Sequence, residues 1–221
     1  MSKQSKTTPS SSEPGDSPDS SDFSSEMTDA PASGLSLADH FLIAMPSMAD
    51  PVFGGSVVYL CEHNTSGALG VIINKATDMT VENLLARLEL KLEIAPALPA
   101  QQASVVYGGP VQDDRGFVLH APTTGHFSST MQITPDVALT TSRDILEAVA
   151  RGEAPSRFLV SLGCAGWGAG QLEDEIVRNG WLTVRADPAV LFELPLAQRF
   201  TAALGLLGID PGMLSGEVGH A

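Results

Sequence analysis

Four glycines, Gly163, Gly166, Gly168 and Gly170, fall within eight residues around Trp167, directly after the apolar run 158–162. Glycine takes φ > 0 without steric cost and lets other backbone approach closely. A cluster this dense is read as a built loop, lying between a strand over 157–162 and a helix over 171–178. Strand, glycine loop and helix start can form a phosphate cradle, because free N–H groups at the helix start point at the ligand. Here the helix start holds Glu173, Asp174 and Glu175, carboxylates that complement the helix dipole themselves and repel a phosphate. No Gly-Lys-Ser/Thr element accompanies the glycines, as a nucleotide-binding loop would require. The residues favour a tight turn in which Trp167 plugs the edge of a core. A ligand or partner surface is the alternative.

The rest of the chain alternates short apolar runs with turn signals. Strands are predicted over 40–45, 56–63, 68–74, 103–107, 115–121, 131–134, 157–162 and 181–185, each rich in β-branched or aromatic residues or bounded by Gly, Pro or Asn. Asn64-Thr65-Ser66-Gly67 turns the second of these into the third, the clearest hairpin in the chain. Residues 110–114 read as the turn of a second hairpin. Thr80 is placed to cap a helix running to Leu88, with Val81, Leu84, Leu85 and Leu88 along one face. Ser142 or Thr141 is placed to cap a second helix over 143–150, and residues 196–207 read as a terminal helix. These helices do not alternate regularly with the strands. The pattern predicts an α+β fold with a largely antiparallel sheet rather than a doubly wound parallel one.

Residues 1–34 contain eleven serines, four prolines and few large apolar side chains. Such a segment buries too little apolar surface to offset its ordering entropy and is read as a disordered tail. It shows no apolar stretch after a basic start, the mark of a secretory signal, and Met27 is a candidate translation start. The remaining 187 residues, 35–221, suit a single domain. Of the net charge of −14, the tail carries −4 and the rest −10, from ten basic and twenty acidic residues, with no two basic residues adjacent. Nucleic-acid affinity rests on clustered Lys and Arg, so direct nucleic-acid binding is not expected. No apolar run approaches the ~18 residues of a membrane helix, and no membrane role is expected. Two cysteines far apart, Cys61 and Cys164, suit a reducing, cytoplasmic setting.

Cys61-Glu62-His63 ends a predicted strand. Alternation along a strand puts Cys61 and His63 on one face and Glu62 on the other. Two such residues are too few for structural zinc, and no metal or cofactor is expected. The residues favour a buried Cys61 and a His63 hydrogen-bonded near the turn. Arg115, after Asp113-Asp114, either fixes its own turn or pairs with a carboxylate on a ligand or partner. His120 reads as strand structure, and His40, His126 and His220 have no motif around them.

Taken together the segments are distinctive. Leu42-Ile43-Ala44-Met45-Pro46, Val57-Val58-Tyr59-Leu60-Cys61-Glu62-His63, Gly67-Ala68-Leu69-Gly70-Val71-Ile72-Ile73-Asn74, Gly108-Gly109-Pro110-Val111, Arg115-Gly116-Phe117-Val118-Leu119-His120, Leu139-Thr140-Thr141-Ser142-Arg143-Asp144 and Ala165-Gly166-Trp167-Gly168-Ala169-Gly170-Gln171-Leu172-Glu173 resemble the YqgE/AlgH family in order and spacing, over residues 35–221. The resemblance implies a bifurcated, largely antiparallel sheet curled into a pseudo-barrel with flanking helices, in a bacterial cytosolic protein. It implies no established activity. The family carries a label of transcriptional regulator that does not imply a DNA-binding domain. Two positions depart from the family pattern: Cys164 stands where the family has tyrosine, and Lys75-Ala76 where it has Arg-Pro. Cys164 is therefore not a family-wide nucleophile, and Lys75 keeps the charge without the bidentate fork.

These observations lead to a non-enzymatic module that binds a protein or small-molecule partner and acts in regulation. Its expected surface combines Glu62, His63, Arg115, Gly166, Trp167, Gly168 and Gln171. An enzyme of hydrolase or transferase type, with His63 or His120 as base beside Glu62, is the alternative. A direct DNA-binding regulator comes third.

Overall fold

The computed structural model describes residues 36–92, 104–210 and 212. The tail read as disordered and the candidate start at Met27 lie outside these residues. The elements in chain order are β1 (His40–Ala44), β2 (Val57–Asn64), β3 (Gly67–Ile72), β4 (Ala76–Thr80), α1 (Val81–Arg87), β5 (Ser104–Tyr107), β6 (Val111–His120), β7 (Thr130–Thr134), β8 (Val137–Thr140), α2 (Asp144–Ala150), β9 (Phe158–Gly168), α3 (Gln171–Val177), β10 (Trp181–Arg185), α4 (Pro188–Phe192) and α5 (Leu196–Leu206).

The strands form one curled, half-barrel sheet in the order β10-β1-β2-β3-β9-β6-β8-β7, with β4 and β5 off that path. All pairings are antiparallel except β5 with β9. The α+β class, the dominant antiparallel pairing and the bifurcation expected from the family resemblance are all present.

The fork lies at β9. Along one side runs β6, paired from Phe158 to Cys164. The other side is shared: β5 pairs with Ser161 and Leu162, and β3 takes over from Ala165 to Gly168. Between the two stands Gly163, with φ +73°. The glycine-rich segment is therefore not a loop. Six of its eight residues, Gly163 to Gly168, continue β9, and only Ala169-Gly170 turns into α3. Of its glycines Gly163 admits neighbouring backbone: a Cβ there would stand 2.3 Å from the Gly109 carbonyl oxygen, and one on Gly108, across from it, 2.1 Å from the Gly163 carbonyl oxygen. The expected second hairpin is absent for the same reason. β5 does not fold back on β6; the chain crosses β9 at Gly108-Gly109 instead, where the Gly108 N–H donates to the Leu162 carbonyl at 2.8 Å.

Three apolar clusters clothe the sheet. One face carries Phe41, Ile43, Tyr59, Val71, Leu119 and Cys164 and is covered by α4 and α5 through Val190, Leu191, Ala203 and Leu204. The opposite face is divided between α1 with α2 on one prong and α3 on the other. Arg199 of α5 is buried, donating from Nη1 to the Ile73 carbonyl at 2.7 Å and from Nε to that of Leu194 at 3.0 Å. Burial lowers its guanidinium to about 10, so it remains charged at neutral pH. Thr80 caps α1 as expected, accepting from Asn83 N at 3.2 Å. Ser142 does not cap α2; its hydroxyl donates to Asp144 at 2.5 Å, and the N-cap position is Arg143, without a side-chain bond. Among the described residues no helix is long and apolar enough to cross a membrane.

Candidate functional site

The β2–β3 hairpin forms where the turn signal places it, but it contains a bulge. Leu60 pairs with Gly70 and Glu62 with Leu69, leaving Cys61 as the extra residue. A bulge re-aims the side chains that follow it. Cys61 packs in the α4–α5 face. Glu62 follows its partner Leu69 to that same face, and His63 pairs with Ala68, itself opposite Trp167 of the α3 cluster. The expected alternation is thus corrected: Cys61 and Glu62 share a face, and His63 lies on the other.

This divides the seven expected residues into two groups. On the α3 side stand His63, Trp167 and Gln171. Trp167 is 6% exposed and sits among Phe53 and Trp181, with ring centroids 6.1 and 6.0 Å away. Glu175 supplies what the buried indoles need: its Oε2 accepts from Trp167 Nε1 at 3.0 Å and from Trp181 Nε1 at 2.8 Å. Gln171 links this carboxylate to the strand, donating to Glu175 Oε1 at 2.9 Å and accepting from the Gly168 N–H at 3.0 Å. Glu175, read from sequence as a helix-dipole residue, is the anchor of α3. Its signal was available in its spacing from two tryptophans, at positions 167 and 181. His63 accepts from the Leu37 N–H through Nδ1 at 2.9 Å and faces Glu173 through Nε2 at 3.0 Å.

On the α4–α5 side lie Glu62, Gly166 and Arg115. Glu62, Leu69 and Gly166 stand in one cross-strand line. A methyl on Gly166 would meet only Val111 Cγ2, at 3.8 Å, and Val111 is 41% exposed. Arg115 extends over the Phe117 ring at 5.9 Å and donates to Gln112 at 3.3 Å and Thr141 at 3.1 Å. Gly168, opposite Gly67 and Asn64 in register, continues this line toward the hairpin tip. There a depression of about 200 Å³ is lined by Glu62, Asn64, Ser66, Gly67 and Leu69, and also by Ala68 and Trp167, so at the hairpin end Glu62 and Trp167 border one hollow. Beneath the line Cys164 and Cys61 are buried free thiols. Burial raises both, although Arg115 partly offsets this at Cys164.

His120 is 2% exposed, with Nδ1 on the Ala121 carbonyl and Nε2 on the Thr140 hydroxyl, both at 2.8 Å. A carbonyl only accepts, so Nδ1 carries the hydrogen and Thr140 donates to Nε2. Burial lowers this imidazole, outweighing its bond to Ala121. The unfolded chain, with an ordinary value of about 6.5, then takes up a proton before the native protein does. Stability contributed by neutral His120 is full above that value and is lost as pH falls toward the native one. Urea unfolding at pH 7.5 and 5.0 should show a smaller loss for His120→Gln than for the wild type; equal losses would refute this.

Among the described residues no group of three His, Cys, Asp or Glu side chains is arranged to hold a metal ion. A separate hollow of about 410 Å³ lies between loop 123–127 and α2, lined by His126, Asp144, Arg151 and Glu153, and holds none of the seven expected residues.

Residues 41–212 match the family described as AlgH-like. UPF0301 proteins of Burkholderia cenocepacia (strain HI2424) and Burkholderia multivorans are each 57% identical over 192 residues, covering 86% of this chain and 98% of theirs. The solution structure of the AlgH protein from Pseudomonas aeruginosa superposes with a TM-score of 0.68 at 46% identity, over 87% of this chain and all of that one. A Corynebacterium diphtheriae protein shares the fold alone, with a TM-score of 0.60 at 18% identity over 75% of this chain and 84% of that one. On the strength of the family match and these identities, the chain belongs to the AlgH-like family.

Proposed function

We propose that this protein is a non-enzymatic, cytoplasmic binding module that acts in regulation through a protein or small-molecule partner. The observation that carries the reading is the line Glu62–Leu69–Gly166 beside exposed Val111 and Arg115. Gly166 has neither a left-handed φ nor a close neighbour to require it. A side chain there would instead fill the strip between a carboxylate and a guanidinium, and glycine keeps that strip open. A partner presenting both hydrogen-bond donors and acceptors, with an apolar group for Leu69 and Val111, fits this chemistry.

The enzyme reading has less support. Both ring nitrogens of His63 and of His120 are already engaged, and a general base needs one free for its substrate. Trp167, buried with its N–H bonded, contributes to the surface by holding β9 and α3 in place.

The test is affinity capture from the native lysate with wild type, Gly166→Val and the Glu62→Ala/Arg115→Ala double variant. Expected is at least a tenfold loss of the specifically retained partner in both variants, with unchanged melting. Equal retention by all three would count against the reading.

A further inference from the structure

His63 joins three segments that are distant in sequence. Its side chain is 7% exposed. Nδ1 receives the N–H of Leu37, 26 positions earlier, and Nε2 meets a carboxylate oxygen of Glu173, 110 positions later. The backbone N–H can only donate, so Nδ1 must be the bare nitrogen and Nε2 the one carrying hydrogen. This assignment defines what protonation does. A second ring proton goes on Nδ1 and places two donors head to head across 2.9 Å. At the other nitrogen the same proton turns a neutral hydrogen bond into an ion pair with Glu173, which is 53% exposed.

We infer that His63 is a pH-responsive latch, closed on the entering chain when neutral and released from it, toward Glu173, when protonated. Histidine is the side chain whose charge ordinarily changes between about pH 5 and 8. The charged groups around the ring do not duplicate its role. Glu173 from α3 is the one that faces it. Glu62, its neighbour on β2, lies on the opposite face and is bonded to Asn64. On the entering chain Asp39 is engaged by Tyr59 and Arg185, and the other histidine, His40, bonds the Ala38 carbonyl through Nδ1 at 3.0 Å, an acceptor that does not require a bare ring nitrogen. Ala68 and Trp167, the residues beside it in register, carry no charge.

The released stretch is also delimited. From Asp39 onward the chain is held independently, by Asp39 N–H to the Leu60 carbonyl at 2.9 Å and by the β1 ladder. Before it, among the described residues, the remaining ties are the Ser36 hydroxyl on the His63 carbonyl and the His40 ring, whose Nδ1 meets the Ala38 carbonyl, both at 3.0 Å. Release therefore loosens residues 36 and 37, with Ala38 still held by His40, and lets Leu37 leave the α3 cluster it packs against, without unfolding the sheet. The device stands apart from the binding surface, which lies on the other face.

Amide hydrogen exchange on the full chain tests this. From pH 7.5 to 5.0 the protection factor of the Leu37 amide should fall at least tenfold relative to that of Asp39, read in the same spectra. His63→Asn keeps an acceptor where Nδ1 stood but does not titrate, and its Leu37 protection should be flat with pH. Glu173→Gln removes the partner of the imidazolium and should move the wild-type transition to lower pH. Leu37 tracking Asp39 throughout in the wild type would overturn the latch. So would an acid response that survives in His63→Asn, and an unmoved transition in Glu173→Gln would remove Glu173 from it.

Discussion

Gly163→Ala is expected to destabilise the protein by more than about 4 kcal/mol, beyond the range of ordinary single substitutions. Two costs add at this position. The backbone holds φ +73°, which disfavours any residue with a Cβ by roughly 1–2 kcal/mol. The new methyl would also stand 2.3 Å from the Gly109 carbonyl oxygen and 3.2 Å from Asp113 Cα. Both neighbours are backbone and cannot rotate away. Relief requires β9 to part from the Gly108-Gly109 crossing, and with it the fork from which β3 and β5 diverge. Gly166→Ala is the control, since its methyl meets only Val111 Cγ2 at 3.8 Å and should cost less than about 1 kcal/mol. Urea unfolding followed by circular dichroism measures both. A Gly163→Ala protein within 1 kcal/mol of wild type would show that the fork tolerates a wider opening than its contacts suggest.

Glu175→Ala should cost about 2–4 kcal/mol, because two indole N–H groups lose one shared, charged acceptor. Glu175→Gln should be milder, about 1–2 kcal/mol. One amide oxygen can still accept from both rings, but the amide nitrogen then meets the Gln171 side-chain nitrogen that had donated to Glu175 Oε1. Thermal melts of the two variants and wild type check the order. Equal losses for Ala and Gln would mean that packing of the glutamate stem, not the bond to the indoles, anchors α3.

Much of the fold was legible because its signals are local. The Thr65-Ser66 connection of the β2–β3 hairpin and the Thr80 cap each depend on a few neighbouring residues. The family motifs carried the forked sheet as well. What local signals misjudged was the glycine segment. Glycines were taken to break a strand, whereas here Gly163 lets one continue where foreign backbone comes within 3 Å of where a Cβ would sit. The partners that hold it extended, β3 and β6, are contributed by residues at least 50 positions away, and nothing near Gly163 announces them. The same blindness produced the hairpin expected at 110–114, since a turn signal does not say which strand its ends will meet.

The site was less legible than the fold. Strict alternation put Cys61 with His63, and a single bulged residue reversed it. Every side chain beyond the bulge changes face relative to Cys61, so Glu62 joins it and His63 leaves it, while Glu62 and His63 stay on opposite faces as alternation requires. Sequence proximity brought seven residues into one expected patch; the sheet divides their register positions between two faces, and Glu62 and Trp167 meet only at the depression by the hairpin tip. Trp167 was rightly suspected of plugging a core edge, and it is Glu175, eight residues on, that makes this burial tolerable for its polar N–H.

The indole pair has a practical consequence. The chain contains two tryptophans, and both rings lie 6.0 Å apart against the same carboxylate. All tryptophan emission therefore arises from the α3 prong, and none from the prong beneath α1 and α2. Fluorescence and far-ultraviolet ellipticity consequently watch different regions as denaturant is raised. Coincident curves would mean that both prongs melt as one cooperative unit, and an earlier fluorescence change would reveal the α3 prong opening first.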